Sequence, residues 1–371
     1  MPAVLYRRCA HRLVARTILP SQRRSRLPTS SSLYYYTFTT TSTSTSTTST
    51  TSMGKNTDSI NDSNNNSNNN SRRRKTYELP STLQGPPISA LVPPGHCQFG
   101  PEPTPVTLLQ RFPVSETSAV LRFALPDTTQ PLNLSTCACL LAQAEMEDGQ
   151  VVTRPYTPIS TNQMIGSFDL LVKNYGPTAQ LSRRMHELVP GGGHDDNDHD
   201  RRIRFWHIPV NVKIPAEDFI HGQYDHIGML AGGTGITPMI QALHATLGAS
   251  TNTNTLRPKV TLLYGSKTAD DILGQELLHQ WSHDFANRFQ WVPILSHEPE
   301  HSDWTGERGV IDQDRIAQYI PPASSSSLQQ LIMVCGPPPM YDALCGPRPE
   351  HDTVSGVLAE LGYTAEQVYK F

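Results

Sequence analysis

The chain has 371 residues, a formal net charge of −3 and six cysteines. This length predicts about two domains with cores large enough for independent folding, and the near-zero charge gives no case for nucleic-acid binding. The scattered cysteines exclude a disulfide scaffold, and the Cys137–Ala138–Cys139 triplet lacks the second ligand pair that a zinc site needs. No stretch approaches the ~18 apolar residues of a membrane span, so an integral membrane protein is not expected.

The first 75 residues are predicted to be a targeting peptide followed by a low-complexity segment. Residues 1–57 contain no Asp or Glu but carry seven arginines. In a helix, Arg8, Arg12 and Arg16 would form one stripe with apolar residues opposite. This composition is typical of a mitochondrial transit peptide, but it does not specify on which side of the inner membrane the protein would lie. An unstructured basic tail with no targeting function is the alternative. Ser/Thr and Asn/Ser tracts extend the segment, which we expect to be disordered or removed.

Residues 76–104 form a Pro-rich lead-in, which we expect to be extended chain wrapped on the folded part. Over residues 105–222, short alternating runs at 119–125, 168–173 and 203–206 predict a small antiparallel β-barrel domain, with one helix at 179–188. The stretch 191–200 (GGGHDDNDHD) favours a solvated acidic loop over a metal site, because it lacks apolar support.

Residues 223–371 alternate strand and helix, which predicts a parallel, Rossmann-like sheet with ligands at the carboxyl ends of its strands. Gly232, Gly233 and Gly235 follow the first strand and would let a backbone approach a pyrophosphate at a helix amino terminus. Because the spacing is GGTG and not G-x-G-x-x-G, a plain loop is the alternative. The predicted strands are 226–230, 260–264, 289–295 and 331–335, and the predicted helices are 239–247 and 272–284.

The segment 154–160 (RPYTPIS) follows a predicted strand at 151–153 and has side chains suited to a flavin. An Arg can pair with a diphosphate, a Tyr can lie against an isoalloxazine ring, and a Thr hydroxyl can bond the ring or ribityl chain. A strand followed by an ordinary turn is the alternative for this string taken alone.

The order of the motifs is more specific than any one of them. R-x-Y-T-x-x-S, a helix with Ser182, GGTGIT-P and CGPPPM follow one another, and the chain ends in VYKF. Over about residues 105–371 the sequence therefore resembles the ferredoxin–NADP reductase superfamily and, within it, the NADH–cytochrome b5 reductases of fungal mitochondria. The resemblance implies FAD and NADH as cofactors.

The resemblance also implies a role for each matching residue. Arg154 would bind the FAD pyrophosphate, and Tyr156 and Thr157 would contact the flavin. Cys335 and Thr157 would lie at the reacting atoms. The implied flavin-binding residues are Arg154, Pro155, Tyr156, Thr157, Ser160, Leu171, Lys173, Gln180, Leu181 and Ser182, with Thr237 reaching over from the second domain. The implied nicotinamide-nucleotide residues are Gly232, Gly233, Thr234, Gly235, Cys335, Gly336, Pro337 and Met340.

Three segments depart from the family pattern. The usual G-K-M-S is here AQLS at 179–182, the usual G-x-H is replaced within LSTCAC at 134–139, and the usual R-G-P-x-G is replaced by FWHIPVNVK at 205–213. These changes fall around the expected flavin phosphates and the barrel core. They therefore put in question whether the surface that faces the electron acceptor is like that of the family.

Three functions are consistent with this sequence. The first is hydride transfer from NADH to FAD, followed by single-electron transfer to a haem protein such as cytochrome b5; peripheral membrane association is open. The second is a mitochondrial flavoprotein reductase supporting cytochrome c or haem maturation. The third is a non-catalytic, nucleotide-binding descendant of the fold. For the nicotinamide cofactor, the acids after Lys267 and a His297 in place of an arginine favour NADH over NADPH.

Overall fold

The computed structural model describes residues 77–93, 95–176, 179–191, 202–208, 223–249, 258–324 and 328–371. The predicted transit segment, the acidic stretch after Gly191 and positions 209–213 lie outside these ranges. Within them, no helix is both long and apolar enough to cross a bilayer.

The first half of the described chain forms two antiparallel sheets. Its strands are β1 (Thr104–Val106), β2 (Leu108–Pro113), β3 (Ser118–Ala124), β4 (Leu140–Glu145), β5 (Val151–Tyr156), β6 (Ser167–Lys173) and β7 (Ile203–Trp206). One sheet has the order β1-β7-β4-β5 and the other β2-β3-β6. Buried and less buried residues alternate along β4, as expected for a strand with one face on a core.

The two sheets share one aromatic core. Phe123 and Phe168 of the three-stranded sheet have ring centroids 5.7 Å apart, and both contact Phe205 of the four-stranded sheet, at 5.1 and 5.2 Å. Aromatic pairs at such distances add to the stability gained from burial. The core between the sheets corresponds to the predicted antiparallel barrel. It also shows that Phe205, the first residue of one departure from the family pattern, is an interior residue.

The second half forms a six-stranded parallel sheet with helices. Its elements are β8 (His226–Gly232), α2 (Ile236–Leu247), β9 (Lys259–Ser266), α3 (Gln275–Asp284), β10 (Phe289–Leu295), β11 (Glu307–Arg308), α4 (Gln313–Tyr319), β12 (Gln330–Cys335), α5 (Pro338–Leu344), α6 (Gly356–Glu360) and β13 (Val368–Lys370). The strand order is β11-β10-β9-β8-β12-β13. With the helix α1 (Gln180–Glu187) of the first half, these elements confirm the predicted fold class.

Two predicted helix starts are wrong by three residues. Helix α2 begins at Ile236 and not at 239, because Pro238 lies in the first turn, where a missing amide costs no helical bond. Helix α3 begins at Gln275 and not at 272, because Gly274 adopts a left-handed conformation with φ of 71°.

The Pro-rich lead-in packs on both halves of the molecule. The amide of Ile88 donates to Nδ1 of His244 in α2 at 2.9 Å, and the hydroxyl of Thr82 donates to Oδ2 of Asp169 in β6 at 2.7 Å. Leu83 is buried in the core of the parallel-sheet half. The lead-in is not extended throughout, because Ser81–Leu83 form one turn of 3₁₀ helix.

Candidate active site

The two glycine-rich turns meet at the point where the strand order of the parallel sheet reverses. Strand β8 lies between β9 and β12, so chain connections leave its neighbourhood in opposite directions. Open parallel sheets bind ligands at the carboxyl ends of the strands at such a switch point. Gly232 ends β8, and Gly336 directly follows β12. The topology therefore places both predicted nucleotide motifs at one ligand-binding position.

The two turns touch through their backbones, which explains why glycine is required. A Cβ on Gly235 would lie 2.0 Å from the carbonyl oxygen of Cys335, and one on Gly232 would lie 2.8 Å from the sulfur of Met340. The first distance is far below van der Waals contact with a backbone atom that cannot rotate away. Glycine here permits close approach of the turns, and it also leaves room for a ligand beside them.

Tyr264 of β9 is hydrogen-bonded to the first glycine-rich turn. Its hydroxyl donates to the carbonyl oxygen of Gly233 at 2.9 Å and accepts from the amide of Leu273 at 3.3 Å. Burial raises the pKa of this phenol, so it stays a neutral donor. Within the same turn, the hydroxyl of Thr237 donates to the carbonyl oxygen of Thr234 at 3.2 Å. The turn is thus fixed before any ligand binds.

The barrel half contributes side chains to the same place. Strand β5 lies at the edge of its sheet and carries Arg154 exposed and Tyr156 half-buried, with Thr157 just beyond its end. Burial raises the pKa of Tyr156 to about 12, so its hydroxyl is a hydrogen-bond donor at neutral pH. Arg154 also donates from Nη1 to the carbonyl oxygen of Thr153 at 2.7 Å. A cation and a neutral phenol on an open strand edge suit an anionic ligand with an aromatic ring.

Helix α1 offers a third set of donors. No side chain caps its amino terminus, so the amides of its first turn can bind an anion. This helix start lines the same cavity as the side chains of β5, through Ala179, Gln180, Leu181 and Ser182. The family's glycine and lysine are absent at this helix start, but the backbone amides that hold a phosphate are unaffected by that change.

These three parts surround one cavity of about 950 Å³. That volume is at the upper end of the usual range for small-molecule and cofactor sites. All but one of the residues predicted to bind cofactors line it: Arg154, Pro155, Tyr156, Thr157, Leu171, Lys173, Gln180, Leu181, Ser182, Gly232, Gly233, Thr234, Gly235, Thr237, Cys335, Gly336, Pro337 and Met340.

Ser160 is the predicted residue that the structure places elsewhere. Its hydroxyl accepts a hydrogen bond from the amide of Asp169 at 3.0 Å, within the barrel, and it is buried. The last position of the R-x-Y-T-x-x-S string therefore joins the turn to β6 and does not face the cavity.

Cys335 is well placed to shape the cavity but is not an activated nucleophile. It ends β12 beside Gly235. Burial raises the pKa of its thiol to about 11, although a hydrogen bond with Tyr341 acts in the opposite direction. A thiol that stays protonated at neutral pH is a poor nucleophile. The structure therefore gives no support for a nucleophilic Cys335, and its part in shaping the nicotinamide pocket stays a prediction.

Two polar contacts join the halves across the cavity. Lys173 of β6 forms an ion pair with Asp271, which follows β9. The hydroxyls of Tyr175 and Thr234 lie 2.9 Å apart. The predicted flavin-side lysine is thus partly neutralised by an acid from the nucleotide side.

Sequence reasoning missed several cavity residues. Tyr175, Arg348, Tyr369 and Phe371 line the cavity, and the rings of Tyr369 and Phe371 meet edge-on with centroids 4.8 Å apart. The VYKF string was matched to the family's tail in the sequence, but no role was predicted for its two aromatic residues. Neither the position of Tyr175 nor that of Arg348 has a comparable signal.

Cys137 and Cys139 also line the cavity, in the segment that replaces the family's G-x-H. Cys137 has a φ of 62°, in the left-handed region that favours glycine. Its thiol donates to the carbonyl oxygen of Pro238 at 3.3 Å. In the described part of the chain, no cluster of His, Cys, Asp and Glu could hold a metal ion.

The arrangement fits FAD together with a nicotinamide dinucleotide. Glycines leave space beside a helix start, Arg154 and the amides of α1 suit diphosphate oxygens, and aromatic side chains suit the rings. The fold and the site thus define a two-domain flavoprotein oxidoreductase. Two domain models match accordingly: an oxidoreductase FAD-binding domain over residues 105–195 and an oxidoreductase NAD-binding domain over residues 229–346.

Whole-chain comparisons narrow the class to a family. The chain is 34% identical over 264 residues to NADH-cytochrome b5 reductase 2 of Pyricularia oryzae, covering 70% of this chain and 72% of that protein. It is 34% identical over 262 residues to the protein of the same name from Chaetomium globosum, covering 70% and 69%. This chain belongs to the NADH-cytochrome b5 reductase family. The cytochrome b5 reductase domain of Ulva prolifera nitrate reductase shares the fold, with a TM-score of 0.57 and 22% identity over 77% of this chain and 100% of that one.

Family membership confirms three predictions: the enzyme class of an NADH-dependent flavoprotein reductase, FAD and NADH as its cofactors, and the resemblance itself. The non-catalytic alternative has no support in these comparisons. The roles of single residues, the domain boundaries and the mitochondrial address stay predictions.

Proposed function

We propose that this chain passes electrons from NADH, through FAD, to a haem protein of the cytochrome b5 type. The observation that carries the proposal is the single cavity in which the flavin motif at 154–157, the GGTG turn and Cys335 meet. The relatives named above are called NADH-cytochrome b5 reductases, which supports a cytochrome b5 as the acceptor.

The protein's own residues bind and orient in this scheme. FAD, when bound, supplies the chemistry: it accepts a hydride from NADH and passes on single electrons. Arg154 and the amides at the start of α1 hold diphosphate charge, while Tyr156 and Thr157 orient the ring. Gly232 and Gly235 let the nucleotide approach the backbone. No general acid or base is needed, and the neutral thiol of Cys335 leaves space for the ring that donates the hydride.

An anaerobic titration tests the proposal in two stages. The purified chain is first mixed with NADH, and the loss of flavin absorbance is followed; bleaching by about one equivalent is expected. The reduced protein is then mixed with oxidised cytochrome b5 or oxidised cytochrome c. Rapid reduction of cytochrome b5 supports the proposal, and a flavin that NADH bleaches but that reduces only cytochrome c contradicts it.

The second candidate is a reductase serving cytochrome c or haem maturation. The observation in its favour is the departure from the family pattern at 205–213, which puts the choice of electron acceptor in question. Under this hypothesis the reduced protein reduces a haem bound to apocytochrome c faster than it reduces cytochrome b5. The same two-stage experiment, with that third acceptor added, separates the two functions.

We also propose that residues 1–75 direct the chain to mitochondria, because the segment is rich in Arg and its first 57 residues lack acids. Fusing residues 1–75 to a fluorescent protein tests this directly. Mitochondrial fluorescence is expected, and replacing Arg8, Arg12 and Arg16 by Glu should abolish it. Diffuse cytosolic fluorescence of the unchanged fusion would contradict the proposal.

A further inference from the structure

One side chain joins the flavin-binding turn to the helix that follows the nucleotide-binding turn. Gln241 of α2 donates from Nε2 to the carbonyl oxygen of Pro158 at 2.8 Å and to that of Ser160 at 2.8 Å. A side-chain amide carries two N–H donors on one nitrogen, so a single Gln satisfies both carbonyls. Gln241 is not among the residues that line the cavity, and both of its described bonds go to the turn at 158–160.

We propose that Gln241 is a positioning residue that sets the separation between the flavin-binding turn and the nucleotide-binding turn. The inference rests on the proposed reduction of bound FAD by NADH and extends it, because it names one of the contacts that hold the two cofactor-binding turns at their separation.

The turn that receives these bonds is rigidly attached to the barrel. Ile159 is buried between the two accepting carbonyls, and its amide donates to the carbonyl oxygen of Asp169 at 2.9 Å. The hydroxyl of Ser160 accepts from the amide of Asp169 at 3.0 Å. The turn begins directly after Thr157, so any displacement of the turn also displaces the flavin motif.

The helix that makes these bonds is rigidly attached to the nucleotide turn. Helix α2 begins at Ile236, directly after Gly235, so Gln241 lies about 7.5 Å along the axis from the helix start. Its neighbours Ile240 and Ala242 are fully buried, which leaves the helix little freedom to slide alone. A second contact, from the thiol of Cys137 to Pro238, joins the same end of the helix to the barrel.

Loss of the amide should slow the hydride step more than it weakens binding. Without Gln241, two carbonyl oxygens lose their donors, and the interface can relax without any cofactor contact being removed. Hydride transfer depends steeply on distance, and a misplacement of about 1 Å can cost on the order of a hundredfold in rate. We expect a smaller relaxation here, because the Cys137 contact persists, and hence a fall of about tenfold.

The test compares Gln241→Leu with a matched control, Gln280→Leu. Gln280 is an exposed residue of α3 whose amide donates to Asp284 on the surface. For each holoprotein we would measure FAD retention, the limiting rate of flavin reduction, and the apparent Kd for NADH by stopped flow. Hydrogen exchange at residues 158–160 and 236–240 provides a readout independent of turnover.

The expected result is a split between rate and binding. Gln241→Leu should lower the limiting rate about tenfold, change FAD retention and the Kd for NADH by less than about twofold, and speed exchange at both segments. Gln280→Leu should match the wild type in every measurement. A limiting rate in Gln241→Leu equal to that of the wild type overturns the inference, whereas a wild type that NADH does not reduce overturns the proposed function instead.

A second variant covers the case in which Gln241→Leu does not fold. In Gln241→Glu, the carboxylate faces two carbonyl oxygens and cannot donate, but its protonated form regains one donor. Its limiting rate should therefore rise as the pH is lowered, over a range in which the wild type is flat. A pH profile with the shape of the wild type's overturns the inference.

Discussion

The two halves of the candidate active site line the cavity in different ways. The barrel half presents side chains: Arg154, Tyr156 and Thr157 project from the end of an edge strand. The parallel-sheet half presents backbone, because Gly232 and Gly235 carry no side chain and lie against the second turn. A side-chain site can lose one contact and keep its shape. A backbone site loses its shape when any atom is added, so the two halves should respond differently to mutation.

Gly235→Ala should have the largest effect. Its Cβ would lie 2.0 Å from the carbonyl oxygen of Cys335, so the two turns must separate. We expect NADH-driven flavin reduction to fall at least about a hundredfold, equivalent to roughly 3 kcal/mol, the upper part of the range for overpacking. FAD should stay bound, because the barrel half is unchanged. Gly100→Ala is the control, since nothing lies within 4 Å of its Cβ. Equal reduction rates in both variants would contradict the backbone account.

Arg154→Ala should damage the other half and give the opposite result. Loss of a charge-assisted contact to a diphosphate should weaken FAD binding by on the order of 2–3 kcal/mol, or about 30- to 150-fold. The variant should purify largely as apoprotein, measured as the ratio of flavin to protein absorbance. Arg154→Lys keeps the charge but not the paired geometry, so its occupancy should be intermediate. Full occupancy in Arg154→Ala would remove Arg154 from the site.

Acid should loosen the parallel-sheet half through a buried histidine. Burial lowers the pKa of His244 to about 4, and its Nδ1 accepts the amide of Ile88 only when deprotonated. The neutral ring therefore stabilises the fold above pH ~6.5, and on the order of 2–3 kcal/mol is lost as the pH falls toward 4. Urea unfolding at pH 7.5 and pH 5 measures this loss. His244→Gln keeps an acceptor that does not titrate, so a pH dependence as steep as that of the wild type would exclude His244 as the source.

Cys335 is a side chain of the parallel-sheet half, and its replacement should have a moderate effect on the rate of flavin reduction. Cys335→Ser keeps the size but adds a stronger hydrogen-bonding group at a half-buried position on the cavity wall. We expect FAD to be retained and the rate of flavin reduction to fall about tenfold, roughly 1.4 kcal/mol, in stopped flow. Cys97→Ser, a barrel substitution away from the cavity, should leave the rate unchanged. Wild-type rates in Cys335→Ser would indicate a packing role alone.

The choice of nicotinamide nucleotide should change least on mutation. Lys267 lines the cavity together with Asp271, whose carboxylate pairs with Lys173, and with His297, which stands where an arginine would pair with a 2′-phosphate. We expect kcat/KM to favour NADH over NADPH by about tenfold or more, with ferricyanide as acceptor. Lys267→Ala should alter this ratio by less than about threefold. A wild type that prefers NADPH, and loses the preference in Lys267→Ala, would identify Lys267 as the phosphate ligand.

Local patterns were enough to predict most elements and both cofactor motifs. Alternation along 119–125 and 168–173 predicted strands, because one face of a barrel strand must be buried. The predicted start at 239 follows Pro238, which instead fits in the first turn of α2, and the predicted start at 272 precedes Gly274, whose left-handed conformation delays α3 to Gln275. Ser160 was placed in the site because it belongs to the motif string, but its hydroxyl is used inside the barrel.

Local sequence patterns were sufficient for the fold class and for the kinds of residue at the site, because periodicity and glycine act over a few neighbouring positions. The order of the motifs along the chain carried the resemblance that implies the cofactors. The long-range contacts followed only from the three-dimensional fold: Gly235 with Cys335, Lys173 with Asp271, and Gln241 with the turn at 158–160. Each of these contacts joins residues that lie about 80 to 100 positions apart in the chain. The first distance follows from the pairing of β8 with β12 in one sheet, and the other two follow from how the barrel packs against the parallel sheet; no local pattern carries that information.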